Sequence, residues 1–328
     1  MPQEHSNIGR RALLAAAAVT AATGGRAEAQ GLAGGKPVSI ILPYAPSGGQ
    51  EVLTRLLSET FMKRFGGTYV AEHRPGAGTT LAARHVARAR PDGTTLFLAT
   101  NVTFSQAQFA YRNPGFEPDT DFTHISLLAE ALYFMAVTPQ WESIGQLVAE
   151  ARRRPGELAF TSWGVGSVAH LLGVDFCRRE GIDMIHVPFN GTAPALTEVM
   201  AGRAAMIFCI MSTCRPHVEG GRLRALATPS PQRIPDFPEV KTMVELGYPD
   251  FVTLPWFSLS APAGLPAEMA SALEAATIEA LSSDEAKLRL SQLGLIPAAR
   301  GANDMRARIQ SDRVVNERLM RQANIEPQ

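Results

Sequence analysis

Two short stretches place glycine and serine where an apolar strand-like run gives way to a helical one, and both are suited to holding an anion. In Tyr44-Ala45-Pro46-Ser47-Gly48-Gly49 the last three residues open a helix-periodic segment. Bare amide N–H groups and the positive end of a helix dipole would there face whatever lies beyond the preceding strand. Gly164-Val165-Gly166-Ser167 repeats the arrangement, and its glycines let the backbone approach a ligand closely. Two such helix starts facing across a cleft would grip a molecule with a carboxylate at each end. The same glycines also serve as ordinary turn and cap residues, so spacing alone leaves both readings open.

Catalytic templates fit less well. A nucleophile elbow needs glycine two residues before and two after its serine, whereas Ser167 has Val165 and Ala169 there, and Ser47 has Ala45 before it. A secreted α/β hydrolase using Ser167, with His170 three residues on, is therefore the alternative rather than the leading reading, because a serine at a helix start is more often an N-cap. The seven histidines form no His-Glu-x-x-His or His-x-His pair, so no metal site is expected. Gly76-Ala77-Gly78-Thr79-Thr80-Leu81 approaches a dinucleotide fingerprint, but its third glycine position is Leu81 and the following strand ends in Ala99-Thr100-Asn101, without a ribose-binding acid. No cofactor is expected.

The elements that must position these loops follow from periodicity. Apolar runs at 38–42, 68–71, 95–99, 158–161, 184–188, 205–209 and 223–227 alternate with helix-periodic segments at 144–154, 168–179 and 194–201. The tail 266–324 reads as mainly helical. Strands alternating with helices predict mostly parallel sheets covered on both faces. Extended stretches near 124–138 and 251–261 could be two crossings between lobes. The expected class is α/β, with two doubly wound lobes: lobe I from 30–135 plus 256–328, and lobe II the inserted 136–255. Ligands of such sheets bind at the carboxyl ends of the strands.

With 31 basic against 31 acidic residues among 328, the chain has no electrostatic footprint for nucleic acid. Arg10 and Arg11 precede a short Ala/Leu/Val run at 12–22, and Ala27-Glu28-Ala29 offers a peptidase site. Residues 1–29 therefore read as a signal peptide cleaved before Gln30, by general secretion or the twin-arginine route. Of three cysteines, Cys177, Cys209 and Cys214, at least one must stay free or pair between molecules, and a Cys209–Cys214 bridge is open.

Collinear motifs along the mature chain resemble one family. They are Ile41-Leu42-Pro43-Tyr44-Ala45-Pro46-Ser47-Gly48-Gly49, Glu72-His73-Arg74-Pro75-Gly76-Ala77-Gly78, Pro91-Asp92-Gly93-Thr94, Pro155-Gly156-Glu157-Leu158, His186-Val187-Pro188-Phe189-Asn190-Gly191 and Ala261-Pro262-Ala263-Gly264. The chain is similar to the substrate-binding proteins of tripartite tricarboxylate transporters, the Bug or TctC family. The resemblance implies a bilobal, type II-like periplasmic-binding fold without enzymatic activity. It implies closure on a small organic acid, delivery to a membrane permease or, as an orphan sensor, to a signalling partner, and a monomer. Carried over by motif, the ligand contacts are Tyr44, Ala45, Ser47, Gly48 and Gly49, then Asn101, then Ser162, Gly166 and Ser167, then Phe189 and Asn190, with Phe104, Trp163 and Phe189 as candidate apolar or aromatic walls. Cys209 is a further candidate contact, at a position where family members often carry an aspartate. Its absence favours a plain, or aromatic, carboxylate over an amino acid.

Overall fold

The computed structural model describes residues 32–46, 48–189 and 191–327, so the expected signal peptide, Ser47 and Asn190 lie outside the described residues. Lobe I is a six-stranded sheet in the order β11-β4-β10-β3-β1-β2 and lobe II a five-stranded sheet in the order β7-β6-β8-β5-β9. Lobe I comprises β1 (Val38–Leu42), β2 (Tyr69–His73), β3 (Thr95–Thr100), β4 (Phe122–Ala131), β10 (Trp256–Pro262) and β11 (Leu295–Gly301). Lobe II comprises β5 (Tyr133–Val137), β6 (Ala159–Ser162), β7 (Ile185–Pro188), β8 (Met206–Ile210) and β9 (Arg224–Ala227).

Alternation explains why both faces of the first sheet are covered. Val38, Ile40 and Leu42 of β1 and Leu96 and Leu98 of β3 enter the main core. Ile41, Phe97 and Ala99, one residue out of phase, enter a second core with Phe104, Phe122 and Trp256. Helix α1 (Gly48–Phe65) covers the first face with Leu53, Leu57 and Phe61, while α2 (Thr80–Ala87) covers the second with Ala82, Ala83 and Val86. Each fully buried Leu or Phe contributes about 1.5–3 kcal/mol. Phe104 packs against Phe97, Phe122 and His124 and is fully buried, so it is a core residue and not a cleft wall.

The sheets are less parallel than strand–helix alternation predicts. Parallel β2-β1-β3 and β7-β6-β8 units are present, but β10 runs antiparallel to β3 and β4, and β5 antiparallel to β8 and β9. The reason is the crossings, which carry the chain directly from one sheet into the other without a returning helix. Tyr133 pairs with Ile210 and Met135 with Phe208, so the first crossing is at Leu132, before the boundary expected after residue 135. Two further elements depart from expectation: helix α7 (Met211–Glu219) follows β8 despite Pro216, and β11 interrupts the tail expected to be helical. Lobe II also contains α4 (Ile144–Arg153), α5 (Val168–Glu180) and α6 (Thr192–Met200); α3 (Ala107–Ala110), α8 (Ala267–Ser282), α9 (Asp284–Gln292) and α10 (Ala302–Gln322) belong to lobe I. Among the described residues no helix is long and apolar enough to cross a membrane.

At the β8–α7 junction Cys209 and Cys214 form a disulfide, with Cα atoms 6.5 Å apart, leaving Cys177 as the buried free thiol. Burial pushes the Cys177 thiol up to about 12. Alkylation of the native oxidised protein should therefore modify no cysteine, denaturation should expose one, and reduction should expose all three, as counted by intact mass. Closing so small a loop constrains the unfolded chain by about 2 kcal/mol, so Cys214→Ser should lower the unfolding free energy by about that amount. Labelling of Cys209 in the native state would contradict the bond.

Candidate functional site

The parallel neighbours β1 and β3 end on the same edge of lobe I, which brings the residues after them together. Tyr44 is half-buried, and its carbonyl accepts the Nδ1–H of His73 at 2.8 Å. The other ring nitrogen of His73 lies 3.0 Å from the Glu51 carboxylate on α1, so this imidazole straps the first loop to the helix behind it. Burial holds the Tyr44 phenol up to about 12. The buried Thr100 hydroxyl sits beside that phenol and bears on its acidity without reaching hydrogen-bond geometry, and it has no partner of its own. Gly48 and Ala45 are exposed, whereas Gly49 is buried against Leu295.

Asn101, 7% exposed, follows Thr100 and leads into a π-helical turn, Val102–Gln106. Such turns recur at functional sites because they redirect the backbone. Here the Phe104 and Ser105 carbonyls accept from Arg313 Nε and Asn316 Nδ2 of α10, both at 3.2 Å. Asn101 and Gln106 open onto a cavity of about 270 Å³ that is walled by α5 of lobe II, from Val168 to Arg179, by the 250–255 segment and by α10, with Arg308 and Asp312 in its lining. A larger cavity of about 580 Å³, lined by Glu142, Arg152, Lys241 and Tyr248, lies wholly on lobe II. Volume alone would favour the larger one, but its walls include none of the residues that converge from both lobes.

On lobe II the loop after β6 is organised differently from the expected anion nest. The Gly164 N–H donates to Ser162 Oγ at 3.1 Å, the Gly166 N–H to His170 Nδ1 at 3.1 Å, and the Ser167 N–H to the Gly164 carbonyl at 3.2 Å. These three amides hold the loop itself. Beyond these, the first-turn N–H groups of α5 have no partner within the helix. Ser167 caps that helix, accepting from the His170 N–H at 3.4 Å while its own hydroxyl donates to the Gly164 carbonyl at 2.7 Å. A cap already engaged in this way does not form the serine–imidazole pair that the hydrolase alternative requires. His186 Nε2 meets Ser162 Oγ at 2.7 Å, but that serine is fully buried.

His170 and His186 stack with ring centroids 3.8 Å apart beneath this loop, with Phe160 on His186. Burial pushes His170 down to about 3 and His186 to about 4, and the neighbouring His186 adds to the shift of His170. Both are neutral at pH 7, as the acceptor role of His170 Nδ1 requires. The stack was not foreseen, His170 being read in sequence only beside Ser167, because it joins residues sixteen apart in the chain.

Two aromatic side chains of lobe II meet beside this loop. Trp163 is half-buried, and its ring lies 6.0 Å from that of Tyr133, at the start of β5. Burial pushes the Tyr133 phenol strongly up, with the Tyr44 phenol adding to the shift. Tyr133 is 5% exposed and belongs to the main core, behind Trp163. Phe189 is half-buried, its N–H bonded to the Ser162 carbonyl at 2.9 Å. Cys209 is fully buried and disulfide-bonded, so it offers no thiol to the cleft, a correction to its expected role.

Residues 53–325 match the model of the tripartite tricarboxylate transporter family receptor. The chain belongs to this family. Among solved structures it is similar to Rpa4515 of R. palustris with adipate, at 28% identity and a TM-score of 0.84, covering 89% of this chain and 99% of that one. The periplasmic binding protein BugD matches at 27% identity and a TM-score of 0.81, covering 89% and 99%. MatC from Rhodopseudomonas palustris, with bound malate, matches at 28% identity and a TM-score of 0.78, covering 87% and 98%. The chain thus has the periplasmic-binding-protein fold of a solute receptor.

Proposed function

We propose that the chain is an exported receptor that closes its lobes on a small organic carboxylate in the periplasm and delivers it to a membrane permease of the tripartite tricarboxylate type. The observation that carries this reading is the convergence of Asn101 and Gln106 of lobe I and the start of α5 of lobe II on one interlobe cavity, with the Tyr44 loop leaving the same edge of lobe I as Asn101. A carboxylate there is held by hydroxyl groups and by helix N-terminal amides, including that of Gly48 on α1, with Asn101 and Phe189 completing the walls. Tyr44 stays protonated at neutral pH and serves as a donor. At the Cys209 position, where family members often carry an aspartate, no anion is offered to an ammonium group, which favours a plain or aromatic acid over an amino acid. The adipate and malate bound by two relatives support an acid of this size.

A thermal-shift screen of the chain from Gln30 to Gln328 tests the reading against mono-, di- and tricarboxylates, aromatic acids and acidic amino acids. A ligand at 100 times its Kd stabilises the native state by about 2.7 kcal/mol, enough for several degrees. Aromatic or plain acids should rank above amino acids. Tyr44→Phe should weaken the best ligand by about 10-fold, the loss of one hydrogen bond to a charged group. A panel with no active carboxylate, repeated after unfolding and refolding to release any co-purified molecule, would count against the proposal.

A further inference from the structure

Both connections between the lobes change allegiance within one or two residues, and one guanidinium grips both of them. At Leu132 the N–H donates to the Gly294 carbonyl of lobe I at 2.8 Å, while the carbonyl of the same residue accepts the Met211 N–H of lobe II at 2.8 Å. Gly294 has φ 66° and lies so close to Met211 that an added Cβ would stand 2.6 Å from the methionine Cβ, so the glycine packs directly on that side chain. In the second connection the Thr253 N–H donates to the Pro229 carbonyl of lobe II at 2.8 Å. The next carbonyl, that of Leu254, accepts Arg308 Nη2 of lobe I at 2.7 Å.

Arg308, on α10, also donates from Nη1 to Glu130 at 2.5 Å and from Nε to Asp312 at 2.9 Å. Glu130 stands two residues before Leu132 and is 6% exposed, a nearly buried carboxylate that must keep its partner. The other oxygen of Asp312 accepts the indole N–H of Trp256, the first residue of β10, at 2.7 Å. The connections are joined to each other by the Ala131 N–H, bonded to the Pro255 carbonyl at 2.6 Å. Every residue up to Ala131 and from Leu254 onward is thereby fixed to lobe I.

We propose that lobe rotation pivots at Leu132 and at the Thr253–Leu254 peptide, and that Arg308, with Glu130 and Asp312, is the anchor that confines bending to those two points. The inference deepens the receptor reading, on which its functional meaning rests. Arg308, Glu130 and Asp312 are positioning residues: they set the interlobe angles open to the protein. Hinges of this kind absorb motion in a few backbone dihedrals when their flanks are held rigid. Without the anchor, residues on the lobe I side would share the bending and the angles would spread.

Pulsed electron-electron resonance between one spin label on each lobe, without ligand, reads this directly. Arg308→Gln should broaden the interlobe distance distribution and shift it to longer distances, and Trp256→Phe, which removes one hydrogen bond without changing charge, should do so to a smaller degree. Hydrogen exchange should rise at Ala131 in both variants, since its bond to Pro255 loses its support. If Arg308→Gln fails to fold, Trp256→Phe alone carries the test. A folded variant with an unchanged distance distribution overturns the proposal. Because no ligand enters the measurement, a negative carboxylate screen would defeat the receptor reading and leave the pivot assignment standing.

Discussion

Acidification from pH 7 to pH 4 is expected to remove on the order of 5 kcal/mol of folding free energy through His124 and His170 alone. Burial is the leading cause at both, holding His124 to about 4 and His170 to about 3. His186, held to about 4 by burial, acts in the same direction. An unfolded histidine titrates near 6.5, so above that value folded and unfolded chains bind the same protons and the contribution is fully present. As the pH falls through 6.5 the unfolded chain takes up protons that the folded chain refuses, and stability declines until the folded values are reached. A loss of this size is comparable to the whole stability of many domains. Denaturant unfolding at pH 7, 6, 5 and 4 measures it, and the interval from 6.5 to 5 is diagnostic because model carboxylates titrate lower. His124→Gln should flatten part of the slope, and a stability independent of pH across that interval would refute the account.

The same protons reach the site. His170 Nδ1 can accept the Gly166 N–H only while unprotonated, and a charged His170 would stack on His186 at 3.8 Å. The 162–167 loop should therefore lose its arrangement along with the global stability.

A second large effect is expected at Gly166. Its φ of 75° disfavours any side chain, and a Cβ there would lie 3.4 Å from Met320 Cε and 3.5 Å from Ala110 Cβ. Met320 and Ala110 belong to lobe I, so this glycine is where the lobe II loop seats on the opposite lobe. Gly166→Ala should cost about 1 kcal/mol in backbone strain while its methyl fits at ordinary contact distance. Gly166→Val adds branches with no room to occupy and should hold the lobes apart, weakening ligand binding by roughly 100-fold, equivalent to about 2.7 kcal/mol. Calorimetric titration of both variants with the best carboxylate separates strain from obstruction. Equal affinities for the alanine and valine variants would mean that the loop does not seat as described.

Much of this architecture follows from local pattern. Alternating apolar residues in β1 and β3, and helical spacing in α1 and α5, depend only on each segment's own period, so the order of strands, helices and glycine loops was legible before any packing was known. Tyr44, Ser162, Trp163 and Phe189 fell at strand ends for the same reason. Motifs also identified the family.

What local pattern could not supply was the partner of each group. Strand direction depends on which neighbour a strand meets, and the antiparallel placement of β5 and β10 came from crossings that no periodicity encodes. Pro216 disguised α7, and the β11 segment reads as part of a mainly helical tail until it pairs with β4. The glycine amides of the 164–167 loop looked free because their acceptors, Ser162 Oγ and His170 Nδ1, are side chains whose direction is set by tertiary packing. Cys209 appeared available until the turn into α7 brought Cys214 to it. The sequence by itself determined most of the strands and helices, the loops that could hold an anion and the family. Only the tertiary structure decided which polar groups are spent on the fold and which remain for a ligand, because hydrogen bonds are satisfied in three dimensions and a donor bound within its own loop is lost to the cleft.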